Sequence, residues 1–269
     1  MKPLPEPRIT ALCGGAPNRL SGDWPERCCT APTRAELHSY PCPTAARGRA
    51  LICAGGGYLQ LVHDKEGVEI ALWLNSLGLD AHVLLHRLPG QPCQDAAPGS
   101  VWPYDIALQD GRRALDHLAG LAPLPLLQVG LSSGGHLAAV LACQSPCAGA
   151  LIAYAPLNAN HRDHKVPAGK PDFAPPEKQA FYDAWPIGLA EAPHGLPRCP
   201  LFLAYALHDA IVPVEHALNL LRCMARTGQA VEAHLFPDAA HGFALRALHG
   251  AHAQWPRLAE RWIDERLAA

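Results

Sequence analysis

Leu126-Leu127-Gln128-Val129-Gly130-Leu131-Ser132-Ser133-Gly134-Gly135-His136-Leu137-Ala138 is the stretch on which the fold turns. An apolar run of strand length leads into Gly130, and from Gly135 to Ala142 the residues read as a helix. A chain that passes from strand to helix this abruptly holds the tip residue at strained backbone angles. Side chains two positions before and two after the tip then collide unless they are absent. Gly130 and Gly134 occupy those two positions around Ser132, whereas a turn centred on Ser133 would put Leu131 in the crowded place. Ser132 is therefore expected at the tip as a nucleophile, with the Ser133 N–H facing an oxyanion. The bland alternative, a serine that merely caps a helix, is disfavoured by a strand and a helix correctly placed on either side.

A serine hydroxyl attacks only when a base removes its proton, and the base needs an acid to hold its tautomer. Two later apolar runs supply candidates. Residues 201–206 end in Leu207-His208-Asp209-Ala210-Ile211-Val212-Pro213, and residues 231–236 end in Pro237-Asp238-Ala239-Ala240-His241-Gly242-Phe243. The order Ser132, Asp209, His241, each on a loop after its own strand, brings all three to the carboxyl edge of a parallel sheet. Among fifteen histidines, His136 lies on the nucleophile's own helix and His208 on the loop that should carry the acid. Asp238 is close to His241 in sequence but is expected to organise the turn after its strand.

A tetrahedral oxyanion needs backbone donors besides Ser133, and the run at 50–54 leads into Gly55-Gly56-Gly57-Tyr58. Gly56 and Gly57 are the expected donors, since glycine lets the main chain approach a substrate closely. A phosphate loop is the rival reading, but neither G-x-G-x-x-G nor GK[ST] occurs here. Tyr58, just past the glycines, and Trp185 are candidates for a substrate pocket. His161 and His164 have metal-like spacing, but a third ligand is lacking, so no metal is expected.

Outward from these motifs, apolar runs at 50–54, 81–85, 126–131, 148–154, 201–206 and 231–236 predict strands. Helical spacing fits 68–79, 106–121, 135–142, 214–226 and 253–267, and 34–40 reads as an edge strand. The alternation predicts a mainly parallel central sheet flanked by helices, in a single domain over 1–269. One stretch, about 156–200, is Pro-rich yet carries Phe173, Phe181, Tyr182 and Trp185. It is expected to be a loop-rich lid after the sixth strand.

Composition excludes other classes. Apolar residues make up 49%, charged residues 17%, and the formal net charge is −2. No basic run invites a nucleic acid, and no apolar run is long enough for a bilayer. Prolines and a glutamate among the first eight residues interrupt any signal peptide. The ten cysteines often sit inside apolar strands and helices, which fits free thiols in the cytoplasm. A homo-oligomer is left open.

With these residues in place, the chain resembles the bacterial acetyl-xylan and feruloyl esterases, carbohydrate acetyl esterases with the α/β-hydrolase fold. The resemblance runs from about residue 50 to the C-terminal helix. It rests on Gly55-Gly56-Gly57-Tyr58, on Glu66-Gly67 before Ala71-Leu72-Trp73-Leu74, and on Leu108-Gln109-Asp110. The Ser132 turn through Ala138, Asp209-Ala210-Ile211-Val212-Pro213 and His241-Gly242-Phe243 complete it. The resemblance implies hydrolysis of short acyl esters, often acetyl groups on sugars, by a Ser-His-Asp triad without a cofactor. Its partner would be a small-molecule ester. A peptidase or amidase of the same fold is the alternative, although the extra domain of large serine peptidases is not expected here. A non-catalytic binding protein on the same scaffold is less consistent with three intact residues.

Overall fold

The computed structural model describes residues 5–94, 96–189 and 195–268. Eight strands form one sheet in the order β1-β2-β4-β3-β5-β6-β7-β8. They are β1 (Arg8–Ala11), β2 (Glu36–Tyr40), β3 (Gly48–Cys53), β4 (Leu79–Leu85), β5 (Leu126–Leu131), β6 (Gly149–Ala153), β7 (Leu201–Ala206) and β8 (Val231–Phe236). From β4 through β3 to β8 every pairing is parallel, whereas β1 and β2 join antiparallel at one edge. The mainly parallel α/β-hydrolase sheet expected from the sequence is thus present.

The central strands are apolar on both faces because both faces are covered. Along β3, Leu51 and Cys53 enter one core while Ala50 and Ile52 enter the other. Along β7, Leu201 and Leu203 separate in the same way from Phe202 and Ala204. The first core is closed by α2 (Ile106–Ala119), α3 (Ser133–Gln144) and α5 (Glu215–Thr227), and the second by α1 (Glu69–Ser76) and α6 (Trp255–Leu267). On α6, Trp255, Trp262 and Ile263 are buried, each such burial contributing about 1.5–3 kcal/mol. The Trp262 ring lies against Gly149, where a Cβ would stand 2.5 Å from it. Helix α3 is sequestered almost throughout, since it packs under α2 as well as on the sheet.

Three elements depart from the expected pattern. Strand β2, expected at the edge, lies inside the sheet, paired with both β1 and β4. The segment after β6 is not only loop: Pro176–Ala184 forms α4. Its prolines read as breakers, yet Pro176 occupies the first helical turn, where a missing N–H costs nothing, and Glu177 to Ala184 are mostly good helix formers. Strand β1 is short, largely exposed and without alternation, so periodicity does not reveal it.

Candidate active site

Three strand ends and one loop meet at a single rim. Ser132, directly after β5, has φ 50° and ψ −129°, a conformation that costs roughly 1–3 kcal/mol for a residue with a side chain. The surroundings enforce it. A Cβ on Gly130 would overlap the Gly134 carbonyl, and one on Gly134 would overlap the Cys53 carbonyl. The Ser132 N–H is held by the Ala153 carbonyl at 3.0 Å.

From β8, His241 brings Nε2 to 3.1 Å from the Ser132 Oγ. Its Nδ1 lies 2.8 Å from the Asp209 Oδ2 on the loop after β7. That pairing assigns the proton to Nδ1 and leaves Nε2 free to accept from the hydroxyl. The other Asp209 oxygen accepts the N–H groups of Ile211 and Val212 at 2.8 and 2.9 Å. Burial works to raise the Asp209 carboxyl, but the His241 hydrogen bond and the two N–H donors outweigh it and hold the group below its ordinary value. Asp238, the sequence competitor, lies beside Gly250 instead, and His208 is exposed.

The glycine loop after β3 runs against the serine: a Cβ on Gly55 would stand 2.6 Å from the Ser132 Cβ. Gly56 and Gly57 have φ of 130° and 67°, and their N–H groups have no acceptor among the described residues. Ser133 opens α3, so its N–H is one of the donors that a helix leaves unused at its start, where the helix dipole favours negative charge. The structure therefore brings Ser132, Ser133, Asp209, His241, Gly56 and Gly57 to one place. A strained serine, an imidazole, a carboxylate and convergent N–H groups are suited to acyl transfer.

Tyr58 sits differently. It is 1% exposed and packs edge-on against Phe181 and Tyr182, with its hydroxyl 3.0 Å from the His136 Nδ1. It presents no surface to a ligand and instead ties the glycine loop to α3. The His136 Nε2 reaches the Trp185 carbonyl at 2.8 Å, and burial pushes this imidazole down to about 4. Trp185 itself is half-buried at the end of α4. His161 and His164 pack as a ring pair 5.5 Å apart in the segment after β6.

Sequence reasoning missed the role of Glu66. It lies in a π-helical turn, Asp64–Val68, before α1, and such turns recur at functional sites. One carboxylate oxygen accepts the Gly55 N–H at 2.8 Å and the other the Tyr154 hydroxyl at 3.2 Å. Tyr154 stands edge-on to the His241 ring, 5.1 Å away. Burial pushes the Glu66 carboxyl up, against the opposing pull of Gly55, His241 and Tyr154. Its stretch, His63-Asp64-Lys65-Glu66, is charged almost throughout, so local pattern does not single Glu66 out, and the sequence offers it only through the Glu66-Gly67 pair of the resemblance.

Fold and rim together define an α/β hydrolase. The chain belongs to the prolyl oligopeptidase family, whose profile matches residues 123–268, more than half of its length. It is 25% identical over 232 residues to an acetylxylan esterase of Xylanibacter ruminicola, covering 82% of this chain but 46% of that protein. The chain thus spans about half the length of that relative. Among solved structures it resembles an acetyl ester-xyloside bifunctional hydrolase of Caldicellulosiruptor lactoaceticus, with TM-score 0.68, 22% identity and 98% of both chains covered. The carboxylesterase Cest-2923 of Lactobacillus plantarum superposes with TM-score 0.65 and 20% identity over 93% of this chain and 97% of that one. The esterase Est2 of Thermogutta terrifontis, bound to propionate, gives TM-score 0.66 and 18% identity over 97% and 95%.

Proposed function

We propose that this protein is a serine esterase that hydrolyses short-chain acyl esters, acetyl esters of sugars or small alcohols foremost. The observation that carries the reading is the line from the Asp209 carboxylate through His241 to the strained Ser132 hydroxyl, beside unpaired N–H groups. Ser132 attacks the ester carbonyl as His241 Nε2 takes its proton. The N–H groups of Ser133 and of Gly56 or Gly57 hold the resulting oxyanion, and Asp209 stabilises the imidazolium. The imidazolium then protonates the departing alcohol, leaving an acyl-Ser132. Water, deprotonated by the same imidazole, attacks the acyl group and returns the serine. Every proton is accounted for by His241 and water, so the reaction calls for no further cofactor. The printed names of the acetylxylan esterase and carboxylesterase relatives support an ester as substrate.

The described residues of 156–200 are read as a cover over this rim, because α4 packs against Tyr58 and His136 and carries Lys178 beside Gly57. Residues 190–194 lie outside the described residues. None of the ten cysteines is in a disulfide, which supports a reducing compartment, the cytoplasm. Among the described residues no helix is long and apolar enough to cross a membrane.

Hydrolysis of 4-nitrophenyl acetate, butyrate and octanoate by wild type and Ser132→Ala tests the reading. Turnover of the short esters that disappears in the variant is expected; turnover that survives it removes Ser132 from the mechanism. The family's name makes an amide the rival substrate, and 4-nitroanilides assayed in parallel decide between the two.

A further inference from the structure

Lys178, on α4, is 6% exposed. Its ammonium lies 3.7 Å from where a Cβ on Gly57 would stand, directly over the glycine loop. Among the described residues it has no carboxylate within 4.0 Å. Its partner is the Phe173 ring, whose centroid is 4.3 Å away, and a second cation, Lys170, stands 5.4 Å from the same centroid. Lys170 also forms no ion pair within the described residues, since the neighbouring Asp172 is taken by Lys165.

Burying an ammonium is costly unless an anion or a set of acceptors compensates, and a ring face compensates only in part. Burial and the like charge of Lys170 pull the Lys178 amine down to about 8, which still leaves it mostly protonated at neutral pH. Two cations on one aromatic ring repel each other, and an anion between them would relieve both the desolvation and the repulsion. The Lys178 end of that arrangement adjoins Gly57, which is partly exposed and is one of the expected oxyanion donors.

Resting on the esterase reading, we propose that Lys178, assisted by Lys170, binds an anionic group of the substrate, so that the preferred ester carries a carboxylate or similar anion on its acyl or alcohol part. The charge would be held by an ammonium that stands beside Gly57 of the glycine loop. A neutral acetyl ester would then be a poorer substrate than the same ester bearing a carboxylate.

The test compares kcat/KM for two pairs of esters. The first is 4-acetoxybenzoate against its methyl ester, with the charge on the alcohol part. The second is monomethyl glutarate against methyl pentanoate, with the charge on the acyl part. In at least one pair, Lys178→Met should lower the anionic-to-neutral ratio about tenfold, the worth of one charge-assisted hydrogen bond. Lys178→Arg should restore it. Should Lys178→Met fail to fold, Lys178→Gln reads the same ratio. A ratio unchanged in both pairs overturns the inference, as does an equal loss on charged and neutral esters, which would assign Lys178 to the oxyanion or to packing. In either case a wild type active on the neutral esters leaves the esterase reading standing. A wild type inert towards all of these esters sinks both.

Discussion

Gly134 sits directly beneath the Cys53 carbonyl, so closely that a methyl group on it would overlap that oxygen. This contact locks the start of α3 against the end of β3 and so sets the distance between Ser132 and the glycine loop. Both colliding partners are main chain, and neither can rotate away. Gly134→Ala is therefore expected to destabilise by at least the roughly 1–3 kcal/mol typical of overpacking, and to abolish turnover. Urea denaturation with a wild-type midpoint would contradict the tight turn described here.

Asp209→Asn leaves a side-chain oxygen for the Ile211 and Val212 N–H groups but offers His241 Nδ1 the wrong partner. The imidazole then loses the tautomer that accepts the serine proton. A fall in kcat on the order of 10⁴-fold with a near-native thermal midpoint is expected. Activity within about tenfold of wild type, a loss of no more than a little over one kcal/mol, would move the acid to another residue.

Glu66→Gln separates charge from scaffolding. The amide keeps an oxygen for the Gly55 N–H yet removes a negative charge that favours the imidazolium form of His241. The acid limb of the kcat/KM profile should move to lower pH. Loss of kcat with an unmoved profile would make Glu66 a support of the glycine loop alone.

Acid stability follows from three buried imidazoles. His82 and His136 are pushed down to about 4 and His216 to about 3, in each case chiefly by burial. The His216 Nδ1 also accepts the Asn158 and Ala159 N–H groups at 2.8 and 2.9 Å, which it can do only when neutral. Because the folded values lie below the unfolded ones, the unfolded chain binds more protons between them. The stability is thus complete above about pH 6.5 and is lost as pH falls towards 4 and then 3. Each group contributes up to about 1.4 kcal/mol per pH unit in that window. Urea midpoints that stay level from pH 6.5 to 5 would show that these imidazoles are already charged in the fold.

Much of this was written into the chain. The bounds of β5 and β7 coincide with apolar runs at 126–131 and 201–206, because strands covered on both faces stay apolar until they emerge. Strand β8, at the sheet edge, matches 231–236 although it alternates Val231, Ala233 and Leu235 with Glu232 and His234. Ser132, Asp209 and His241 were legible for a related reason: each lies just past such a run. Helix α4 was hidden by prolines that break a helix in its interior but start one at its end. Tyr58 was ambiguous, since an aromatic beside a glycine loop has the same local pattern whether it faces a substrate or a core. Glu66 and Lys178 depend on Tyr154 and Gly57, and contacts so distant in sequence leave no periodicity.

The segment after β6 is held, within itself and to the neighbouring helices, partly through main-chain atoms. His136 holds the Trp185 carbonyl, His216 holds the Asn158 and Ala159 N–H groups, and Asn158 holds the Ile187 carbonyl. Every amino acid except proline offers those same N–H and carbonyl groups. Those ties are blind to the side chains at Trp185 and Ala159, whereas Phe181 and Tyr182 are held by their rings against Tyr58 and His136. A change of side chain at Trp185 therefore leaves its carbonyl tie to His136 in place, so the segment can vary at that position and keep its seat beside α3.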